Sequence, residues 1–156
     1  MTHLCCDVIH ALSGRTLVTA ESCTGGGIGA ALTAVPGSSS VYKGGIISYT
    51  NWVKENLLQV DGSLIEQSGP VSAAVAEAMA RGARHSLQAD IAISVTGLAG
   101  PGGDEFGNPV GTVYIGYCDH KQCLSKGFHF AGDREEVRRQ ATCEALKLVL
   151  QKAVDF

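Results

Sequence analysis

Apolar positions along this chain change period repeatedly, and the changes predict its elements. Residues 3–13 place Leu4, Val8, Ile9 and Leu12 on one helical face, with Gly14 as the stop. "TLVTA" (16–20) is short, β-branched and apolar, as a buried strand would be. "GGGIGAALTAV" (25–35) reads as a glycine-opened helix closed by Pro36 and Gly37, and "GGIISYT" (44–50) as a second strand. In "NWVKENLLQV" (51–60), Val53, Leu57 and Leu58 share a helical face that ends at Asp61 and Gly62. A longer helix is expected from Ser72, its N-cap, to about Leu87, with Val75, Met79 and Ala83 turned inward. "DIAISVTG" (90–97) has the pattern of an interior strand, and the glycines and prolines of "LAGPGGDEFGNP" exclude regular structure after it. "GTVYIGYC" and "CLSKGFHF", joined by a short polar link, predict an antiparallel pair. Asp133, with Glu136 three residues on, forms a capping-box pattern that opens a final helix.

Helices interleaved with strands in this order predict a three-layer α/β/α sandwich around a mixed, mostly parallel sheet. The 156 residues are expected to form a single domain, 1–156. Functional sites in such folds lie beyond the carboxyl ends of strands. Two strand ends run into glycine loops here, "ESCTGGG" and "TGLAGPGG", and both are positioned to line one crevice.

Composition narrows the partners. No apolar run approaches the roughly 20 residues of a membrane span, and the N-terminus lacks the basic-then-apolar order of a secretory signal. A cytoplasmic protein without a membrane partner is expected. The formal charge of −3 and the absence of a Lys/Arg block argue against nucleic acid and for a small molecule. Six cysteines show no C-x-x-C spacing, so reduced thiols are the simplest expectation. "CDHKQC" (118–123) lacks the second ligand pair of a zinc site and is better explained as a hairpin whose strand ends carry Cys118 and Cys123. No metal and no cofactor are expected.

In "TAESCTGGG" (19–27), Ser22, Cys23 and Thr24 are all candidate nucleophiles. A helix opening at Gly25 or Gly26 would leave amide hydrogens free for an oxyanion or phosphate, or the glycines would only permit close packing, with Thr24 as N-cap. Neither G-x-x-x-x-G-K-[ST] nor G-x-G-x-x-G occurs in this loop. None of the five histidines adjoins a glycine loop or a strand C-terminus, which leaves lysine as a base. Tyr49, Asn51 and Lys54 follow a strand and can face the same strand ends; Lys54 would serve as a base only if its pKa were lowered, and otherwise it is a solvated helix lysine. Cys23, near a helix N-terminus, stays open as a second nucleophile.

The segments "TAESCTGGGIGAALTAVPGSSSVYKGGIISYTNWVKENLLQV", "GPVSAAVAEAMARGA", "ISVTGLAGPGG", "NPVGTVYIG" and "FAGDREEVRRQAT" together resemble the CinA C-terminal domain family, whose enzymatic members are nicotinamide mononucleotide deamidases of the PncC type. The resemblance covers roughly residues 16–150. It implies an amidohydrolase converting nicotinamide mononucleotide to nicotinic acid mononucleotide and ammonia, without a metal and as a homodimer. By the same resemblance Ser22 is the nucleophile, and Lys54, helped by Tyr49, is the base. Glu21 would orient Lys54, and amides at Thr24, Gly25 and Gly26 would hold the oxyanion or phosphate. Asn51, Thr96, Gly97 and Ala99 would line the nucleotide side, and Arg134 and Arg138 would be the cationic contacts to phosphate. Thr50, Gly27 and Pro70 depart from the residues usual in the family, and none of them removes a chemical group from this set. The larger N-terminal domain of CinA proteins has no counterpart here, which points to a stand-alone deamidase. A non-catalytic nucleotide-binding or protein-interaction module of the same fold is the alternative expectation.

Overall fold

A computed structural model describes residues 1–155. The elements run α1 (Thr2–Ala11), β1 (Leu17–Glu21), α2 (Gly27–Thr33), a 3₁₀ turn (Ser38–Ser40), β2 (Tyr42–Ile47), α3 (Asn51–Asn56), α4 (Gly62–Ser68), α5 (Ala73–Ser86), β3 (Ile91–Gly97), β4 (Thr112–Cys118), β5 (Cys123–His129) and α6 (Arg134–Ala153). The five strands form one mixed sheet in the order β2-β1-β3-β4-β5. β1 pairs in parallel with β2 and β3, whereas β3–β4 and β4–β5 are antiparallel, so the pairings divide equally between the two kinds. Among the described residues no helix is long and apolar enough to cross a membrane.

Alternation along the central strands separates two cores. Ile91, Ile93 and Val95 of β3 join Leu17, Ile115 and Tyr117 under α1, α2 and α6, where Val8, Ile28, Leu32, Leu146 and Val149 are fully buried. On the other face, Val18, Ala20 and Ala92 meet Val75, Met79 and Ala83 of α5. The second core is built from smaller side chains, which lets α5 press onto the sheet. A Cβ at Gly116 would overlap the Ala76 carbonyl oxygen, and the Ser94 hydroxyl donates to that same carbonyl.

Three local expectations are corrected. α2 starts at Gly27 rather than Gly25, because Gly25 (φ 57°) and Gly26 (φ 99°) are left-handed and form a turn ahead of it. The helix expected over 51–60 stops at Asn56. Gln59 is left-handed (φ 56°), and Asp61 opens the separate α4 by accepting from the Ser63 amide at 2.9 Å and the Ser63 hydroxyl at 2.8 Å. Cys118 and Cys123 are not free thiols. They face each other across the β4–β5 hairpin with Cα atoms 4.1 Å apart and form a disulfide, while Cys5, Cys6, Cys23 and Cys143 are free.

The parallel neighbours β1 and β3 bring their carboxyl ends, Glu21 and Gly97, to one end of the sheet. The disulfide hairpin lies at the other, since Cys118 pairs with Ala92 near the start of β3.

Candidate active site

Ser22 follows β1 directly. Its amide donates to the Val95 carbonyl at 2.9 Å, tying it to β3, and its carbonyl accepts from the Gly25 amide at 3.0 Å. Ladder and turn together fix the residue from both sides. Lys54 arrives from α3, whose N-cap Thr50 bends the chain back from the end of β2. Its side chain is 2% exposed overall, and its Nζ lies 3.1 Å from Ser22 Oγ and 2.9 Å from the Ser48 carbonyl oxygen.

No carboxylate lies among the residues lining this site. Burial therefore sets the protonation of Lys54, pushing its pKa down to about 8 against a small opposing influence of Cys23. A hydrogen-bonded Ser–Lys pair with a depressed lysine is the arrangement that activates a serine hydroxyl. The neighbouring thiol goes the other way: burial drives Cys23 up to about 11 despite its own amide, Arg138, Lys54 and Arg134, which leaves it protonated near neutrality.

The pair opens into a cavity of about 390 Å³ between the two strand ends. Among the expected site residues, Ser22, Tyr49, Asn51, Lys54, Thr96, Gly97, Ala99 and Arg134 line it. Cys23, Thr50 and Pro70 line it too, as do Val71 and Leu98, which were not singled out from sequence. Among the described residues no hydrogen bond joins Tyr49 to Lys54. Its ring is 58% exposed, and its hydroxyl accepts from Arg134 Nη2 at 3.1 Å, while Nη1 of the same guanidinium donates to the Gly100 carbonyl at 2.8 Å.

Glu21, Thr24, Gly25, Gly26 and Arg138 stand outside this cavity. Glu21 is 2% exposed and turned away from Lys54 toward α2, whose N-terminus it occupies. Oε1 accepts from the Thr24 hydroxyl and the Ile28 amide, both at 2.8 Å, and Oε2 from the Gly29 amide at 3.1 Å. An anion arriving at that helix end would meet a carboxylate already bound there, so the first amides of α2, at Ile28 and Gly29, are not open to phosphate. The Gly25 amide is likewise taken by Ser22. Arg138 donates from Nε to the Cys23 carbonyl (3.0 Å) and from Nη2 to the Thr24 carbonyl (3.3 Å), holding the serine turn against α6 rather than reaching the cavity.

Ser48 is a member of the cluster that periodicity did not single out. It is fully buried, its amide donates to the Glu21 carbonyl at 2.8 Å, and its carbonyl accepts from Lys54. Its place at the strand end, one residue before Tyr49, was the signal available.

The CinA C-terminal domain profile matches residues 4–153. The chain belongs to the CinA C-terminal domain family. A CinA-like protein of Geobacter metallireducens is 49% identical over 126 residues, covering 81% of this chain and 30% of the relative. The chain thus spans about a third of the length of such curated relatives. The fold match is closer in extent. The competence damage-inducible protein A from Klebsiella pneumoniae subsp. pneumoniae MGH 78578 superposes with a TM-score of 0.95 at 38% identity, over 98% of this chain and 96% of that one. A CinA superfamily protein from Klebsiella pneumoniae 700603 gives 0.96 at 36% identity, over 99% and 98%. This CinA domain therefore has near full-length structural counterparts.

Proposed function

We propose that this domain is an amide hydrolase converting nicotinamide mononucleotide to nicotinic acid mononucleotide and ammonia, with Ser22 as nucleophile and Lys54 as base. One observation carries the mechanism: a buried amine with a lowered pKa within hydrogen-bond distance of a serine at a strand end. The substrate comes from the family resemblance.

In this scheme uncharged Lys54 accepts the Ser22 hydroxyl proton as Oγ attacks the carboxamide carbon, forming the C–O bond and an oxyanion. The C–N bond then breaks, the lysine returns its proton to the departing nitrogen, and ammonia leaves an ester on Ser22. Water, deprotonated by the same amine, hydrolyses that ester and restores the serine. The amide of Cys23, inside the Ser22–Gly25 turn and at the cavity wall, has no backbone acceptor among the described residues and serves as an oxyanion donor, worth ~3 kcal/mol in comparable sites. Arg134 is the phosphate contact, in place of the paired role first expected for Arg134 and Arg138. Tyr49 acts through Arg134, orienting the guanidinium, rather than as a proton relay. A homodimer, from the resemblance, and a cytoplasmic location, from the sequence pattern, belong to the same scheme.

Ammonia release from nicotinamide mononucleotide by the purified chain, measured beside Ser22→Ala, tests the proposal. Release by the wild type alone supports it. Saturable binding of an unchanged nucleotide, with no release above the variant, replaces it with a binding module.

A further inference from the structure

Ser48 presents an unusual combination. The residue has no solvent exposure, and its Oγ has no hydrogen-bond partner among the described residues. An unpaired buried hydroxyl costs roughly 1–3 kcal/mol, and alanine would fill nearly the same space without that cost. The backbone there is fully engaged, the amide with Glu21 and the carbonyl with Lys54, and neither bond needs a hydroxyl side chain. The fold therefore gives no reason for serine at this position.

Counting hydrogens on Lys54 supplies one. A neutral amine has two N–H groups and a lone pair, and its two N–H groups match its two acceptors, the Ser48 carbonyl and Ser22 Oγ. An ammonium has three N–H groups. Once the proton of Ser22 has moved, the third hydrogen needs an acceptor in a site with almost no solvent contact. The titratable groups around it offer none. Cys23, from the turn after β1, is held protonated; Tyr49, ahead of α3, pairs with Arg134 from α6; and the Glu21 carboxylate is bound to α2.

We infer that Ser48 is a positioning residue for this chemistry, its hydroxyl turning to accept the third hydrogen of Lys54 while that side chain carries the proton taken from Ser22. This rests on the Ser22–Lys54 pairing proposed above. The carbonyl already bonded to Lys54 and the free hydroxyl belong to one residue, and the motion this role calls on is rotation about χ1 between staggered wells. Such a bond forms only in the charged interval. Above the pKa of Lys54, where the resting amine is neutral, it therefore lowers the barrier without tightening the resting state.

The test follows labelling of Ser22 by a fluorophosphonate probe in the full chain between pH 6 and 9, for wild type, Ser48→Ala and Ser48→Thr, with Ser22→Ala as the blank. Removing a hydrogen bond to a charged group is expected to lower the plateau rate of Ser48→Ala about 10-fold or more. Because the charged amine loses support, its pH midpoint should move below that of the wild type. Its melting temperature should equal or exceed the wild-type value, and Ser48→Thr should recover both rate and midpoint. Labelling of Ser48→Ala at the wild-type rate and midpoint overturns the inference, as does a folded Ser48→Thr that behaves like alanine. Turnover of nicotinamide mononucleotide, measured in parallel, separates the two claims. Ser48-dependent labelling without turnover supports the positioning role and rejects the substrate, whereas absent labelling in the wild type overturns the Ser22–Lys54 pair and this role with it.

Discussion

Two buried polar clusters lie at opposite ends of one sheet and handle charge in opposite ways. At the hairpin end, Asp119 is 5% exposed and accepts from the Tyr117 hydroxyl (2.8 Å), the Lys121 amide (2.8 Å) and the Gln122 amide (2.9 Å). Burial works against its charge, but these bonds outweigh it and hold the carboxyl below its usual range. At the carboxyl end of β1, Lys54 has two partners, neither of them an anion, and burial depresses it instead. One cluster is saturated with partners and stabilises an ion. The other is short of them and eases the loss of the amine's proton, which on the proposed scheme separates a reactive polar site from a structural one.

The strongest way to break the contrast is to remove the proposed nucleophile. Ser22→Ala should lower ammonia release by about 1,000-fold or more while leaving the melting temperature near that of the wild type. Lys54→Met should reduce kcat by about 100-fold to 1,000-fold without destabilising the fold, because a desolvated amine is exchanged for an apolar chain of similar length. Its mirror image is Asp119→Ala. That change orphans the Tyr117 hydroxyl and two amides, and should cost about 3 kcal/mol in chemical denaturation with little effect on turnover. Glu21→Gln should cost about 2 kcal/mol, since an amide NH₂ would face a backbone donor at the start of α2; a lower kcat with unchanged KM would show that this cap also aims Ser22. The smallest effect sharpens the lysine half. The base is the uncharged form, so with a pKa of about 8 activity should rise about 10-fold from pH 7 to pH 9, and a flat profile would remove Lys54 from that role.

Legibility in the sequence tracked the reach of each interaction. Ser72 and Asp133 cap helices through bonds three residues away, to Val75 and Glu136, and both starts could be read from spacing. β3 was visible as an unbroken apolar strand because both its faces are covered. α4 was not, since its seven residues carry too short a pattern and Asp61 reads equally well as the end of what precedes it. Glu21 looked like a partner for Lys54, yet its carboxylate is bound by amides seven and eight residues downstream, a relation that only the turn through Gly25 and Gly26 creates. The Cys118–Cys123 link depended on strand register, and the Arg138 contacts on packing across 114 and 115 positions. Ser48 stood at a legible strand end, but the burial that leaves its hydroxyl without a partner is a property of the folded site.

Arg138 also bears on the order in which the protein becomes competent. The guanidinium that clasps the Cys23 and Thr24 carbonyls belongs to the last helix of the chain. A polypeptide growing from its N-terminus has made Ser22 and Lys54 long before that clasp exists. The turn that presents the hydroxyl thus gains its clasp only after residue 138 has been made, and a ribosome-bound fragment ending ahead of that residue should react more slowly with a serine-directed probe.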